Sequence, residues 1–216
     1  MSAPLLTKSA AAAGIAGASG LSGFGIYKVA FREDTIKDTI LNSYPLKFHG
    51  FLNSNDPKWS GVKTEYEKSE SVDKPKGESG QVIEKDSLPS WCENEVNSPF
   101  KDKEDSKYKS VLRWCYLNTN TFEQQVGGKE LAGPKTGAAD GDGQAWKTAW
   151  TSYKPHITDL NWKITGSSND TDLNGNDDAK GATALRTWCS SKTGIFMYAN
   201  EAKTSFPKFE KFCLKA

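Results

Sequence analysis

The chain has 216 residues, with 28 Lys and Arg against 27 Asp and Glu, for a net charge of +1. No basic stripe is sustained, which argues against nucleic acid as the main partner. Seven Trp, seven Tyr and ten Phe stand among many Lys, Glu, Asp, Asn, Ser and Gly, so a few large rings must close the core beneath a solvated, loop-rich surface.

Residues 9–27 carry no charge between Lys8 and Lys28. At about 1.5 Å per residue this stretch nearly matches a hydrocarbon core of about 30 Å. Its apolar content is thin: Ile15, Leu21, Phe24 and Ile26, helped by Tyr27, Val29 and Phe31. Gly14, Gly17, Gly20 and Gly23 form a small-residue stripe that lets membrane helices approach closely. An uncleaved membrane anchor fits the length and the flanking Tyr27, Lys28 and Arg32. A signal peptide fits the A-x-A site at Ala16-Gly17-Ala18. A flexible Ala/Gly tail is the plainest alternative. Lys28 and Arg32 outnumber Lys8, which by the positive-inside rule would keep the body in the cytoplasm. The cysteine pattern favours export instead.

Along the body, Ile36 and Ile40 are spaced for a short amphipathic helix within a linker at 32–50. Asp56-Pro57 has the form of an N-cap with Pro at the first helical position. Trp59, Val62 and Tyr66 then share one helical face. Residues 67–86, with Pro75, Gly77 and Gly80, form a loop. Ser87 caps a second helix carrying Pro89 in its first turn and Leu88, Trp91, Cys92 and Val96 on one face, ending at Ser98-Pro99. Tyr108, Val111, Leu112 and Cys115 line a third. Residues 126–143 form a linker. Trp146, Ala149, Trp150 and Tyr153 predict a helix over 144–154 stopped by Pro155. The alternation of Leu160, Trp162 and Ile164 suggests a short strand, and 166–178 is a turn-rich tract. Helices at 182–192, with Leu185, Trp188 and Cys189, and at 207–214, with Phe209, Phe212 and Cys213, complete the chain.

These markers occur twice in the same order. Trp59, Val62 and Tyr66 return as Trp146, Ala149 and Tyr153 at an offset of 87. Leu88, Trp91 and Cys92 return as Leu185, Trp188 and Cys189 at 97; Tyr108, Val111, Trp114 and Cys115 return as Phe206, Phe209, Phe212 and Cys213 at 98. Repetition of this kind signals an internal duplication. The expected fold is therefore mainly α: an N-terminal transmembrane-like helix followed by two tandem three-helix repeats with long polar loops. The expected divisions are an anchor or signal segment at 1–31, repeat 1 at 32–125 and repeat 2 at 126–216.

The four cysteines form two pairs, 23 and 24 residues apart. Each pair falls on neighbouring helices of one repeat, which could bring the Cα atoms within about 4.4–6.8 Å. Cys92–Cys115 and Cys189–Cys213 are favoured, because duplication carries an internal bond along with its module. Such bonds suit an exported body. Buried free thiols packed against aromatic rings are the alternative. A zinc site is disfavoured: Cys-x-x-Cys is absent, and His49 and His156 are distant in sequence from every Cys.

No catalytic constellation and no cofactor motif emerges. His49 and His156 sit in no nucleophile signature, and Gly127-Gly128-Lys129 lacks the phosphate-loop pattern. Asp170-x-Asp172-x-Asn174-Gly175 matches the first half of a calcium loop. Gly181 stands where the bidentate Glu belongs, so an Asn/Asp turn is the plainer reading. Asn169-Asp170-Thr171 is a glycosylation sequon.

Residues 87–96 (SLPSWCENEV), 108–115 (YKSVLRWC) and 185–189 (LRTWC), behind the Ala/Gly-rich opening at 7–29, resemble uncharacterised paralogous proteins of haemotropic mycoplasmas. The resemblance runs over most of the chain, although its motifs are short and Phe212-Cys213 departs from the Trp-Cys pattern. It implies a membrane or surface antigen involved in host-cell contact or antigenic variation. Organisms of this type are not known for oxidative folding, so it weighs against the disulfides that the duplication favours.

The expected function is that of a non-enzymatic, membrane-anchored surface protein with an extracellular body. Its expected partners are the membrane, through the N-terminal segment, and a host surface protein. Loops 67–86, 133–144 and 166–181 would carry the recognition surface. The alternatives are an ion- or ligand-binding module using the Asp/Asn-rich tract and an exported hydrolase with an unrecognised site. The residues specify no oligomeric state.

Overall fold

A computed structural model describes residues 34–43, 47–68, 70–136 and 139–215, with only the backbone at 139–142. The expected N-terminal membrane segment lies outside the described residues. Among those residues, no helix is long and apolar enough to cross a membrane.

The fold is mainly helical. Its first half comprises α1 (Ile36–Ser43), β1 (His49–Phe51), α2 (Trp59–Glu67), α3 (Leu88–Glu95), α4 (Ser106–Trp114) and β2 (Tyr116–Asn118). The second comprises α5 (Phe122–Gln125), α6 (Ala139–Tyr153), a 3-10 turn (Lys154–His156), α7 (Asp170–Leu173), α8 (Asp178–Lys192) and α9 (Ala202–Phe212). Ile36, Ile40, Val62, Leu88, Val111 and Trp114 fill one core. Phe122, Trp150, Tyr153, Leu185, Phe209 and Phe212 fill the other.

Contacts recur between the halves as well as sequence. Cys92–Cys115 and Cys189–Cys213 are disulfide bonds, with Cα–Cα distances of 5.5 and 5.6 Å. Tyr66 meets Trp114 edge-on at 4.9 Å and 81°; Tyr153 meets Phe212 edge-on at 5.1 Å and 75°. The Trp59 indole donates to the Asn53 carbonyl at 2.7 Å, and that of Trp146 donates to Pro134 at 3.0 Å. Three marker pairs differ in burial: Trp188 is buried whereas Trp91 is half-buried, and Val62 and Tyr108 are buried whereas Ala149 and Phe206 are half-buried.

The three-helix plan omitted two shared parts. One is a capped helix before each Trp helix. Thr35 and Asp38 exchange bonds between side chain and backbone N–H at the start of α1, and Thr121 and Gln124 do the same at α5. This reciprocal arrangement satisfies N–H groups that a helix start otherwise leaves unpaired. Ile36 N–H donates to Ser98 O and Lys37 N–H to Val96 O; Phe122 N–H donates to Ile195 O and Glu123 N–H to Thr193 O. Bridges Thr35–Pro99 and Thr121–Phe196 complete the match. Phe122 therefore belongs to the second core, and the second half reaches back to Asn120 rather than starting at 126.

The other shared part is an antiparallel strand contact. β1 pairs with β2 in the register Phe51–Tyr116 and Gly50–Leu117. In the second half Leu131 bridges Leu214, and Lys215 N–H donates to Glu130 O at 2.9 Å. Leu52 N–H and Ala132 N–H each donate to the carbonyl of the second half-cystine, Cys115 or Cys213. The expected linker 126–143 is thus partly built into this contact and into α6.

Other expectations shift. Leu160 and Trp162 lie in a turn rather than a strand, with Trp162 N–H donating to Asp159 O at 3.0 Å; local i to i−3 bonding wins over a weak alternation. The α-helix ends at Tyr153, just ahead of Pro155 as expected, and Pro155 sits in the first turn of the following 3-10 segment, where its missing N–H is not needed. The helix containing Phe209 begins at Ala202 and holds Pro207 inside. Ser87 and Asp56 fit their starts only loosely: Ser87 makes no side-chain cap, and Asp56 accepts from Lys58 N–H ahead of α2. Tract 166–181 is largely folded, since α7 and the start of α8 fall within it.

Gly181 stands inside α8, where glycine is intrinsically costly. A β-carbon there would lie 2.2 Å from Cε2 of the fully buried Trp150. Gly181→Ala should destabilise the protein by about 1–3 kcal/mol, read as a lower urea midpoint. Because both disulfides close loops of nearly equal size, replacing either pair by Ser should cost about 3 kcal/mol. Urea denaturation of the two double variants checks that near-equality.

Candidate functional site

The halves meet where residues 196–200 of the second enter a groove between α2 and α4 of the first. Tyr198 joins the first core and stacks on Phe196, with ring centroids at 5.0 Å and planes 9° apart. Its ring fits because position 61 is glycine; a β-carbon on Gly61 would lie 2.5 Å from the Tyr198 hydroxyl oxygen. Beside it, Asn200 N–H donates to Glu65 Oε1 at 2.7 Å, and Arg113 Nη2 donates to Asn200 Oδ1 at 2.9 Å. Asn200 Nδ2 donates to Ser71 Oγ at 3.3 Å, and Ser71 Oγ donates to Glu65 O at 2.5 Å.

Glu65 is only 4 % exposed, so its partners matter. Lys68 pairs with it at 2.5 Å, and the hydrogen bond to Glu65 raises the Lys68 pKa. Burial lowers the Arg113 pKa, against the attraction of Glu65 and Asp73. Its guanidinium lies 4.2 Å from the Trp114 ring centroid. A buried carboxylate held by several donors fixes one arrangement, and removing a single partner would strand its charge.

Next to this contact lies a cleft of about 320 Å³, lined among others by His49, Asp73, Lys109, Arg113, Tyr116 and Lys203. Asp73 has φ 53°, the left-handed region that Asp tolerates better than most residues. Burial lowers the His49 pKa. Lys109 is paired with Glu104 at 2.5 Å. The cleft thus offers cations and hydrogen-bond donors. Its lining contains no Ser, Thr or Cys near His49.

His156 lies in the other half, 5.3 Å from the Phe212 ring and 6.3 Å from that of Trp162. The calcium candidates Asp170, Asp172 and Asn174 do not form a loop of converging oxygens. Asp170 and Asp172 lie on α7, and the Asp170 carboxylate accepts from Gly166 and Ser167 N–H at 2.7 and 2.8 Å. Burial works against its ionisation, but the Ser167 and Gly166 hydrogen bonds outweigh it and lower the pKa. The Asn174 amide donates to Ile164 O and Asp170 O and accepts from the Tyr153 hydroxyl. Among the described residues, no group of three or more His, Cys, Asp or Glu is placed to hold a metal.

Sequence reasoning missed the Glu65–Arg113–Asn200 contact, because nothing near 198–200 signals a partner some 130 residues away (Asn200 and Glu65 are 135 apart). The reciprocal helix caps were missed as well, although Thr35-x-x-Asp38 and Thr121-x-x-Gln124 carry the spacing that could have signalled them.

Burial, followed by the charge of Glu65, pushes the Tyr198 pKa up to about 12; burial and Glu84 do the same for Tyr66. A phenol raised above its unfolded value near 10 holds its proton more tightly when folded. Its stabilising contribution is complete below pH 10 and is lost as pH rises towards 12. Burial also raises the pKa of the Tyr116 and Tyr153 phenols, so phenolate absorbance should show a late-titrating group of tyrosines, and Tyr198→Phe should remove one from its upper end. Compared with known proteins, the chain matches no family model, no curated protein and no solved structure.

Proposed function

We propose that this is a non-enzymatic surface protein, anchored by its N-terminal segment, whose disulfide-stapled helical body carries recognition loops outside the cell. The observation that supports this reading is the pair of buried disulfides at matching positions, both half-cystine pairs being 0 % exposed. Structural disulfides persist in oxidising compartments and are rare in reducing cytoplasm. The apolar stretch 9–27 would supply attachment, and a duplicated module would give the body a rigid frame. Exposed polar connections on such a frame are where binding specificity usually resides. The region from 67 to 86 is suited to that role, since Tyr66 and Trp114 tie it down through Ile83 O and Val72 O while much of it stays exposed.

External protease applied to intact cells should remove the body, and maleimide should label the cysteines only after denaturation and reduction. Full protection of the body together with labelling of unreduced, denatured chains would overturn this reading.

A further inference from the structure

The groove that receives residues 196–200 has a counterpart in the second half. Gly61 and Glu65 on α2 correspond to Thr148 and Ser152 on α6; Leu112 and Arg113 on α4 correspond to Glu210 and Lys211 on α9. The counterpart is a cleft of about 520 Å³ that includes all four of these side chains, and each of them is exposed. The inserting loop also has a counterpart. Pro99 and Phe100 occupy the backbone positions of Phe196 and Met197, since Phe100 N–H donates to Asp34 O as Met197 N–H donates to Asn120 O. Residues 101–104 that follow are exposed.

Each half therefore carries one loop and one groove, and among the described residues only one loop is joined to one groove. A contact between unlike surfaces of repeated units leaves complementary ends, which can propagate from molecule to molecule. We propose that the second-half groove docks residues 99–104 of a second copy of this chain, giving head-to-tail association.

The side chains on the two free ends differ from the internal pair in a matched way. Where the internal loop has Tyr198, the free loop has Lys101; where the internal wall has Leu112, the free wall has Glu210. Thr148 closes the slot that Gly61 leaves for a ring, and an extended lysine needs no such slot. Asp102 on the loop is opposite in charge to Lys211 and Lys215 of the groove, the latter also pairing with Glu130. At Lys101 and Glu210 a ring and a leucine are thus replaced by side chains of opposite charge. Lys103 and Lys211 carry like charge, so the contact between molecules is weaker than the internal one and sensitive to salt.

Sedimentation of the full chain in detergent tests this. Expected are concentration-dependent oligomers at low ionic strength that dissociate near 1 M salt, where screening acts beyond about 3 Å. Glu210→Lys and Lys101→Glu should each weaken association about tenfold. Both residues are exposed, and the in-chain pair that Lys101 makes with Asp105 is a 4.0 Å surface contact of a kind that adds little to stability, so far-UV circular dichroism should hold and the thermal midpoint should move little. The double charge swap should restore association, which rules out a fold defect or self-association of the N-terminal segment as the cause. A monomer at every concentration, or oligomers indifferent to the swaps, would overturn the proposal.

Discussion

One edge-on aromatic contact organises each half. A tyrosine on the first long helix, Tyr66 or Tyr153, meets the ring that precedes the second half-cystine, Trp114 or Phe212. The adjoining sulfur ties that same point to another helix, α3 or α8. Three helices therefore converge on a ring pair and a covalent bridge. Units of this size bury a modest fraction of their surface and gain from such staples. The phenol has a second duty. Tyr66 donates to Ile83 O, while Tyr153 donates to Asn174 Oδ1 and accepts from Ile164 N–H. In each half one hydroxyl thus pins the long polar connection onto the core, which explains how so much hydrophilic chain stays ordered around so few apolar residues.

The halves keep this frame and differ on their surfaces. Glu65 gives way to Ser152 and Gly61 to Thr148, so the first half can receive a loop through a buried carboxylate and the second cannot do so in the same manner. The second half instead has longer helices in α6 and α8, and Gly181 lets the Trp150 ring pass between them. Arg113 and Lys211 show the boundary between what is kept and what is altered. Both cations lie over a neighbouring ring, at 4.2 Å from Trp114 and 4.0 Å from Trp162, yet only Arg113 reaches across to the other half.

Large residues at helical spacing were readable from the chain because Trp59, Leu88, Trp146 and Leu185 each report which face is buried, and a duplicated pattern supports itself. The cysteine pairing was readable for the same reason. Short elements were harder. Thr35-Ile36 and Thr121-Phe122 lie in stretches of unequal following length, so their kinship emerges only from the bonds to Ser98 and Ile195. The strand pairing of Leu131 with Leu214 is a single bridge and leaves no alternating pattern. Asp170 illustrates the opposite error: its spacing suggests a cation ligand, while its carboxylate is used by nearby backbone N–H groups. Contacts between halves depend on shape at positions such as Gly61 and Tyr198, which composition and periodicity do not encode.

The passage from β2 to the second half is very short. Asn118 still pairs in the sheet, and the Asn120 carbonyl already bonds Met197. Asn118 and Asn120 both donate their amides to Gln125 Oε1, closing this joint from the side. The faces of the two halves consequently keep a preset spacing and angle. A multivalent ligand spanning both would meet its second site already in place, gaining avidity without the entropic loss that a slack tether imposes.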